Sequence, residues 1–258
     1  MIPATSDKTV KRAIHVLHAQ AQVKIPASVR PLLERIGRIA DQVGVSAYAV
    51  GGCVRDWSLG VANRTDLDVT VEGSGIELAR VAAEALNAAL TVHEQFGTAT
   101  LYLLKGQGAR IDFTSCRKES YARPGAYPKV SSGALEDDLF RRDFTMNAMA
   151  VALNPGRFKT LIDPFRGSQD LHKRLLRILH ERSFLDDPSR ILRGVRFAKR
   201  FGLRWERSTA TTLRRALAAG ALQWLNQGRL QKELDRMLEE PDPVACLRQL
   251  GTLLDSVA

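Results

Sequence analysis

The segment "AYAVGGCVRDWSLGVANRTDLDVTVEG", residues 47–73, limits the possible folds more than any other stretch of the chain. Its two ends read as strands, the apolar "AYAV" and the alternating "DLDVTVEG". Strand side chains alternate between faces, so Asp66 and Asp68 share one face while Leu67 and Val69 point the other way. Burying both carboxylates without a counter-charge is very costly, so their face needs a cation, an arginine or solvent. A solvated edge strand would also meet that need. Between the strands, Gly51 and Gly52 lead into an amphipathic "VRDWSLG". Glycines there let backbone N–H groups approach a triphosphate at a helix start, with Arg55 supplying charge. A tight strand-to-helix turn with Arg55 paired to Asp56 is the alternative. Together the glycine turn, the arginine and the carboxylate pair amount to a nucleotide-plus-metal site. No G-K-[ST] follows the glycines and no G-x-G-x-x-G occurs, which excludes a Walker loop and a dinucleotide fingerprint.

The flanking sequence supplies the scaffold. "VRPLLERIGRIADQVGV" has helical spacing and stops before Gly44. After the aspartate strand, "GIELARVAAEALNAAL" reads as a helix. "TVHEQFGTATLYLLKG" and "ARIDFTSCR" read as a strand pair joined through Gly106 to Gly108. Short strands interleaved with helices make an α/β unit ending near residue 155. From "DLFRRDFTMNAMAVAL" onward the pattern turns helical. The clearest helix is "DPSRILRGVRFAKRFG", which Asp186 or Asp187 can cap, with Pro188 in its first turn and Gly202 at its end.

Charge points to the partner. Thirty-eight Lys and Arg against 28 Asp and Glu give +10, a balance suited to an anionic partner such as nucleic acid. Thirteen of those cations fall between Lys173 and Arg215, against four acids. Cys53, Cys116 and Cys246 lie far apart, suggesting neither a disulfide framework nor a zinc site, and a reducing, cytoplasmic home. No apolar run reaches the roughly 18 residues needed to cross a bilayer, so no membrane association is expected. The five histidines show no ligand spacing, and His15 and His18 share a helix face. The first 29 residues read as a basic arm; a transit peptide is the weaker reading, because Asp7 and the lack of clustered arginines oppose it. Trp205 and Trp224 are expected in the core.

"GGCVRD" followed by "DLD" resembles the nucleotidyltransferase signature of the DNA polymerase beta superfamily, in its class II tRNA nucleotidyltransferase and bacterial poly(A) polymerase branch. "DLFRRDFTMNAMA", "LIDPFRGSQDL", "SFLDDPSRILRGVRFAKRFG" and "QGRLQKELDRML" are similar to that branch's second to fifth motifs, in order, between about Tyr48 and Leu250. The resemblance implies an α+β fold: a small mixed-sheet head over 30–155, a helical neck over 156–215 and the start of a helical RNA-binding body over 216–258. It implies that Asp66 and Asp68 hold catalytic Mg²⁺, with Asp112 of "ARIDF" as a third carboxylate. Gly51, Gly52 and Arg55 would meet the triphosphate and Arg142 the nucleotide, while Asp143 and Asn147 order the ribose or the motif itself.

The fourth motif has its own logic. Asp187 and Arg190, three apart on a helix, are neighbours on one face. A carboxylate accepts from an exocyclic amine and a guanidinium donates to a ring nitrogen, so the pair can read cytosine or adenine. Uracil and guanine would set a carbonyl against the carboxylate. Arg193 and Arg196, on following turns, would reach phosphates. A salt-bridged helix start followed by a solvated basic face is the plainer alternative.

Two departures stand out. Asp186 occupies a place where the family usually has glutamate, and the chain stops at Ala258, where relatives continue through further helices that grip tRNA. "CRKESYARPGAYPKV" resembles the Pro-Gly loop of the subgroup containing adenylate-adding enzymes. The expected activity is transfer of AMP or CMP from ATP or CTP to a tRNA 3′ end, with adenylate addition favoured. A poly(A) polymerase and an inert RNA-binding relative are the rivals.

Overall fold

The computed structural model describes residues 22–61, 66–103 and 110–255. Residues 1–21, which hold most of the expected basic arm with His15 and His18, lie outside the described residues, as does the Gly106–Gly108 connection. The end of that arm is part of the core: Val23, Ile25 and Val29 are buried. The backbone N–H of Val23 donates to Lys159 O at 3.2 Å.

Helix α1 (Arg30–Gln42) carries Pro31 in its first turn and buries Leu33, Ile36, Ile39 and Ala40. Strand β1 (Ser46–Val50) runs through the glycine turn into the short helix α2 (Gly52–Ser58). Strand β2 (Asp66–Glu72) exposes Asp66 and Asp68 and buries Leu67 and Val69, the expected alternation. Each buried apolar side chain of this kind contributes about 1.5–3 kcal/mol. Helix α3 (Gly75–Leu86) is capped by Ser74, whose hydroxyl accepts from the Glu77 N–H.

That helix is shorter than the sequence suggests. Asn87 takes a left-handed conformation, and the chain turns into β3 (Ala89–His93), which pairs with β4 (Thr98–Tyr102). β4 in turn pairs with β5 (Arg110–Ser115), so the expected strand pair is three strands. β6 (Arg117–Ser120) and β7 (Lys129–Ser132) form a separate hairpin carrying the Pro-Gly loop, residues 121–128.

The second motif also departs from expectation. Among the described residues there, α4 (Leu135–Phe140) is the only α-helix, followed by a short 3-10 turn at Thr145–Asn147. The apolar "AVA" returns to the sheet as β8 (Ala150–Ala152), beside β1 and then β9 (Leu161–Ile162). The seven-stranded sheet has the order β3-β4-β5-β2-β1-β8-β9, with β2 and β5 parallel. Its last strand lies past residue 155, so the sheet-bearing unit is longer than the alternation suggests.

The remainder is helical, apart from a two-residue strand pair between Leu175–Leu176 and Arg204–Trp205. The helices are α5 (Gly167–His172), α6 (Ser183–Asp186), α7 (Ser189–Phe201), α8 (Arg207–Ala218), α9 (Gln227–Leu238) and α10 (Pro243–Asp255). Helix α7 buries Ile191, Leu192 and Val195 and ends at Gly202 in a left-handed cap, as expected. Its Gly194 lies under the Trp205 ring, where an added Cβ would come within 2.2 Å. Trp205 is packed against the core, but Trp224, expected there too, is 37% exposed. Among the described residues no helix is long and apolar enough to cross a membrane.

Candidate active site

A cleft of about 870 Å³ opens between the end of β2, the second motif and helices α7 and α9. Eleven of the thirteen residues singled out from sequence line it: Gly51, Gly52, Arg55, Asp68, Arg142, Asp143, Asn147, Asp187, Arg190, Arg193 and Arg196. Asp66 and Asp112 do not. Its walls carry ten arginines and lysines against six carboxylates, a field that attracts polyanions.

At the floor, β1 ends in Gly51 at φ +75, a conformation that costs glycine little and other residues much. An added Cβ would lie 2.7 Å from Arg142 Nη1 and 3.8 Å from Asp68 Oδ2, so turn, guanidinium and carboxylate converge on one point. Asp68 is exposed on the strand, yet the neighbouring protein takes part of the water from its carboxyl group. This loss of water raises its carboxyl pKa; Arg142 and Arg110 oppose the rise, and Asp112 and Asp66 add to it. Asp112 stands opposite Asp68 in the parallel β2–β5 register. Its oxygens are engaged elsewhere, by Thr100 Oγ1 at 2.6 Å and Arg110 Nη2 at 2.8 Å. Among the described residues no group of three or more His, Cys, Asp or Glu is placed to hold a metal ion. Of the three carboxylates read from sequence, Asp68 alone lines the cleft, with Asp112 beside it in register on β5.

Arg55 is buried and follows the plainer of its two expected roles. Its Nε and Nη2 donate to Asp56 Oδ1, its Nη1 donates to Asn147 Oδ1 at 2.8 Å, and its guanidinium carbon lies 4.4 Å from the Phe201 ring centre. Asn147 Nδ2 donates to Asp143 Oδ1, and Arg193 donates through Nε and Nη2 to Asp143 Oδ2. A continuous polar chain thus links α2 to α7 beneath the cleft. Burial pushes the Asp143 carboxyl up, but the charge of Arg193 and the hydrogen bonds from Asn147 and Arg193 outweigh it and hold the pKa at about 2. Arg142 is clamped by Asp138 at 2.9 Å, while its Nε is buried without a hydrogen-bond partner among the described residues. Asp138 was readable from sequence, since it lies three and four residues before Arg141 and Arg142, both of which it binds.

Asp187 and Arg190, expected to read the base, are arranged differently from a shared helix face. Asp187 precedes α7 in an extended conformation, and its Oδ1 accepts from the N–H and hydroxyl of Ser189. Arg190 spends two donors within the protein, Nη1 on Ser183 Oγ and Nη2 on Arg141 O. Its Nε faces Asp187 Oδ2 at 4.0 Å. Asp186 does not cap the helix; it pairs with Arg182 at 3.1 Å. Arg196 is held by Glu240 at 3.2 Å and Glu233 at 3.7 Å instead of standing free for phosphate. Sequence reasoning missed Arg229 of α9, which donates to Asp187 Oδ1 across 42 residues.

Fold and cleft together describe a mixed-sheet head whose strand carboxylate Asp68 shares a cleft with an arginine-rich helix. The family model described as the poly A polymerase head domain matches residues 47–177, just over half of the chain, and the chain belongs to that family. It is 41% identical over 224 residues to the A-adding tRNA nucleotidyltransferase of Halalkalibacterium halodurans, covering 86% of this chain and 52% of that protein. It is 39% identical over 210 residues to the CC-adding tRNA nucleotidyltransferase of Deinococcus radiodurans, covering 80% and 54%. Among solved structures, the apo form II of a CCA-adding enzyme superposes with a TM-score of 0.84 at 40% identity, over 90% of this chain and 54% of that one. The chain spans about half the length of these relatives.

Proposed function

We propose that the protein transfers AMP from ATP to the 3′ hydroxyl of tRNA without a template, releasing pyrophosphate. The observation that carries this reading is the convergence of the Gly51 turn, Arg142 and Asp68 in the same cleft as Asp187 and Arg190. The glycine turn leaves room for phosphate, and the buried, unpartnered Nε of Arg142 suits a phosphate oxygen. At the far wall, Asp187 Oδ2 accepts from the exocyclic amine of adenine while Arg190 Nε donates to its ring nitrogen. Asp143 and Asn147 act below the ligand, holding Arg55 and Arg193 in place. The names of the most similar relatives favour adenylate over cytidylate addition.

Asp66 and Asp68, two hard oxygen ligands on one strand face, fit a divalent cation, which we take to be Mg²⁺. A cation bound there would lower the pKa of the primer hydroxyl and neutralise the leaving pyrophosphate. Asp112, committed to Arg110 and Thr100, acts as a positioning group beside Asp68.

The test supplies the protein with tRNAs ending before CCA, after C and after CC, each with Mg²⁺ and ATP or CTP. One adenosine added only to the CC-ended tRNA is the expected result. Added cytidines would mean CC or CCA addition, and a long adenosine ladder would mean a poly(A) polymerase. Asp68→Ala should abolish transfer while tRNA affinity stays nearly unchanged; transfer by this variant would overturn the metal assignment.

A further inference from the structure

We propose that Arg229 is a positioning residue that fixes the direction of the Asp187 carboxylate and thereby sets the choice between ATP and CTP. The inference rests on the base-reading role given to Asp187 above. Asp187 offers two oxygens, and the protein treats them differently. Oδ1 takes three donors: the N–H of Ser189, its hydroxyl and Nη2 of Arg229. Asp187 lines the cleft, and among the described residues its Oδ2 has only Arg190 Nε beside it, at 4.0 Å. With one oxygen saturated, the carboxylate cannot turn about its Cβ–Cγ bond without losing charge-assisted hydrogen bonds. The amines of adenine and cytosine sit at different distances from the sugar, so a carboxylate of fixed direction meets one better than the other.

Arg229 is itself held from outside the cleft. Its Nη1 donates to Gly125 O at 3.4 Å, and its guanidinium carbon lies 5.7 Å from the Tyr127 ring centre. Tyr127 accepts at its hydroxyl from Asn226 Nδ2 at 2.7 Å. Gly125 is pinned too: its N–H donates to Leu185 O at 2.9 Å, and an added Cβ would lie 2.7 Å from Trp224 Cβ. The planar guanidinium therefore spans from the 121–128 loop to Asp187, a geometry an ammonium could not reproduce.

The test measures equilibrium binding of ATP and CTP, each with Mg²⁺, to the full chain and to Arg229→Ala, and reads the ratio of the two dissociation constants. The wild-type preference should fall at least fivefold in the variant. Arg229→Gln, which keeps the stem but not the charge, carries the same expectation and replaces the alanine variant should that one fail to fold. Weakening of both nucleotides by the same factor would reduce Arg229 to a structural support and overturn the proposal. Equal affinity of the wild type for ATP and CTP would overturn it as well, leaving the proposed function intact. No binding of either nucleotide by the wild type would instead remove the proposed function on which the inference stands.

Discussion

Asp143 is a buried carboxylate with both oxygens taken, one by the Phe144 N–H and Asn147, the other by Arg193. Its folded pKa of about 2 lies below the unfolded value near 3.9. Its stabilisation is therefore complete above about pH 4 and lost as pH falls toward 2. The shift corresponds to about 2 kcal/mol. Asp143→Asn should lose about 2 kcal/mol at pH 7, because the half-buried Arg193 loses its charge-assisted hydrogen bonds to Asp143 and is left with the longer pairing with Glu233 at 3.7 Å. The variant should also show a shallower fall in stability between pH 4 and 2, checked by urea unfolding across that range. An acid limb as steep as wild type would refute the assignment. Residues of this kind show where sequence reading stops. The aspartates of β2 could be read from alternation alone, and Asp138 from helical spacing. The partnership of Asp143 with Arg193 spans 50 residues, and that of Asp187 with Arg229 spans 42, distances at which no periodic pattern exists.

At the scale of elements, the chain is legible where one period persists and misleading where a short apolar run has two uses. β2 and α7 follow their patterns closely. "AVA" at residues 150–152 continues an apolar run that suits a helix, yet pairing with β1 satisfies its backbone in the sheet interior. The end of α3 was blurred because alanines and leucines straddle Asn87, and the left-handed turn there decides the boundary. Packing can also reverse propensity. Gly37 lies inside α1, where alanine would normally stabilise by up to about 1 kcal/mol. Here an added Cβ would lie 1.8 Å from Leu153 O, a backbone atom of the strand end beneath it. Gly37→Ala should therefore destabilise by about 2 kcal/mol or more, seen as a lowered melting temperature. A melting temperature equal to or above wild type would show that the helix can slide away at little cost.

Over the whole molecule, the +10 charge and the basic cleft act together. If the proposed tRNA binding neutralises about four phosphates, affinity should fall about 50- to 150-fold between about 50 and 200 mM salt, measured by filter binding at several concentrations. A flat salt response would argue against phosphate contacts as the main source of affinity. The polar chain Arg55–Asn147–Asp143–Arg193 has a further consequence for the architecture. The family match ends at residue 177, yet Arg193 lies beyond it. A head cut at that boundary would carry Asp143 without its cation, in a position where a lone carboxylate is costly. The sheet unit and the helix that follows it are thus not interchangeable modules: natural shuffling of one without the other would expose a debt of charge, and the two are expected to be inherited as a pair.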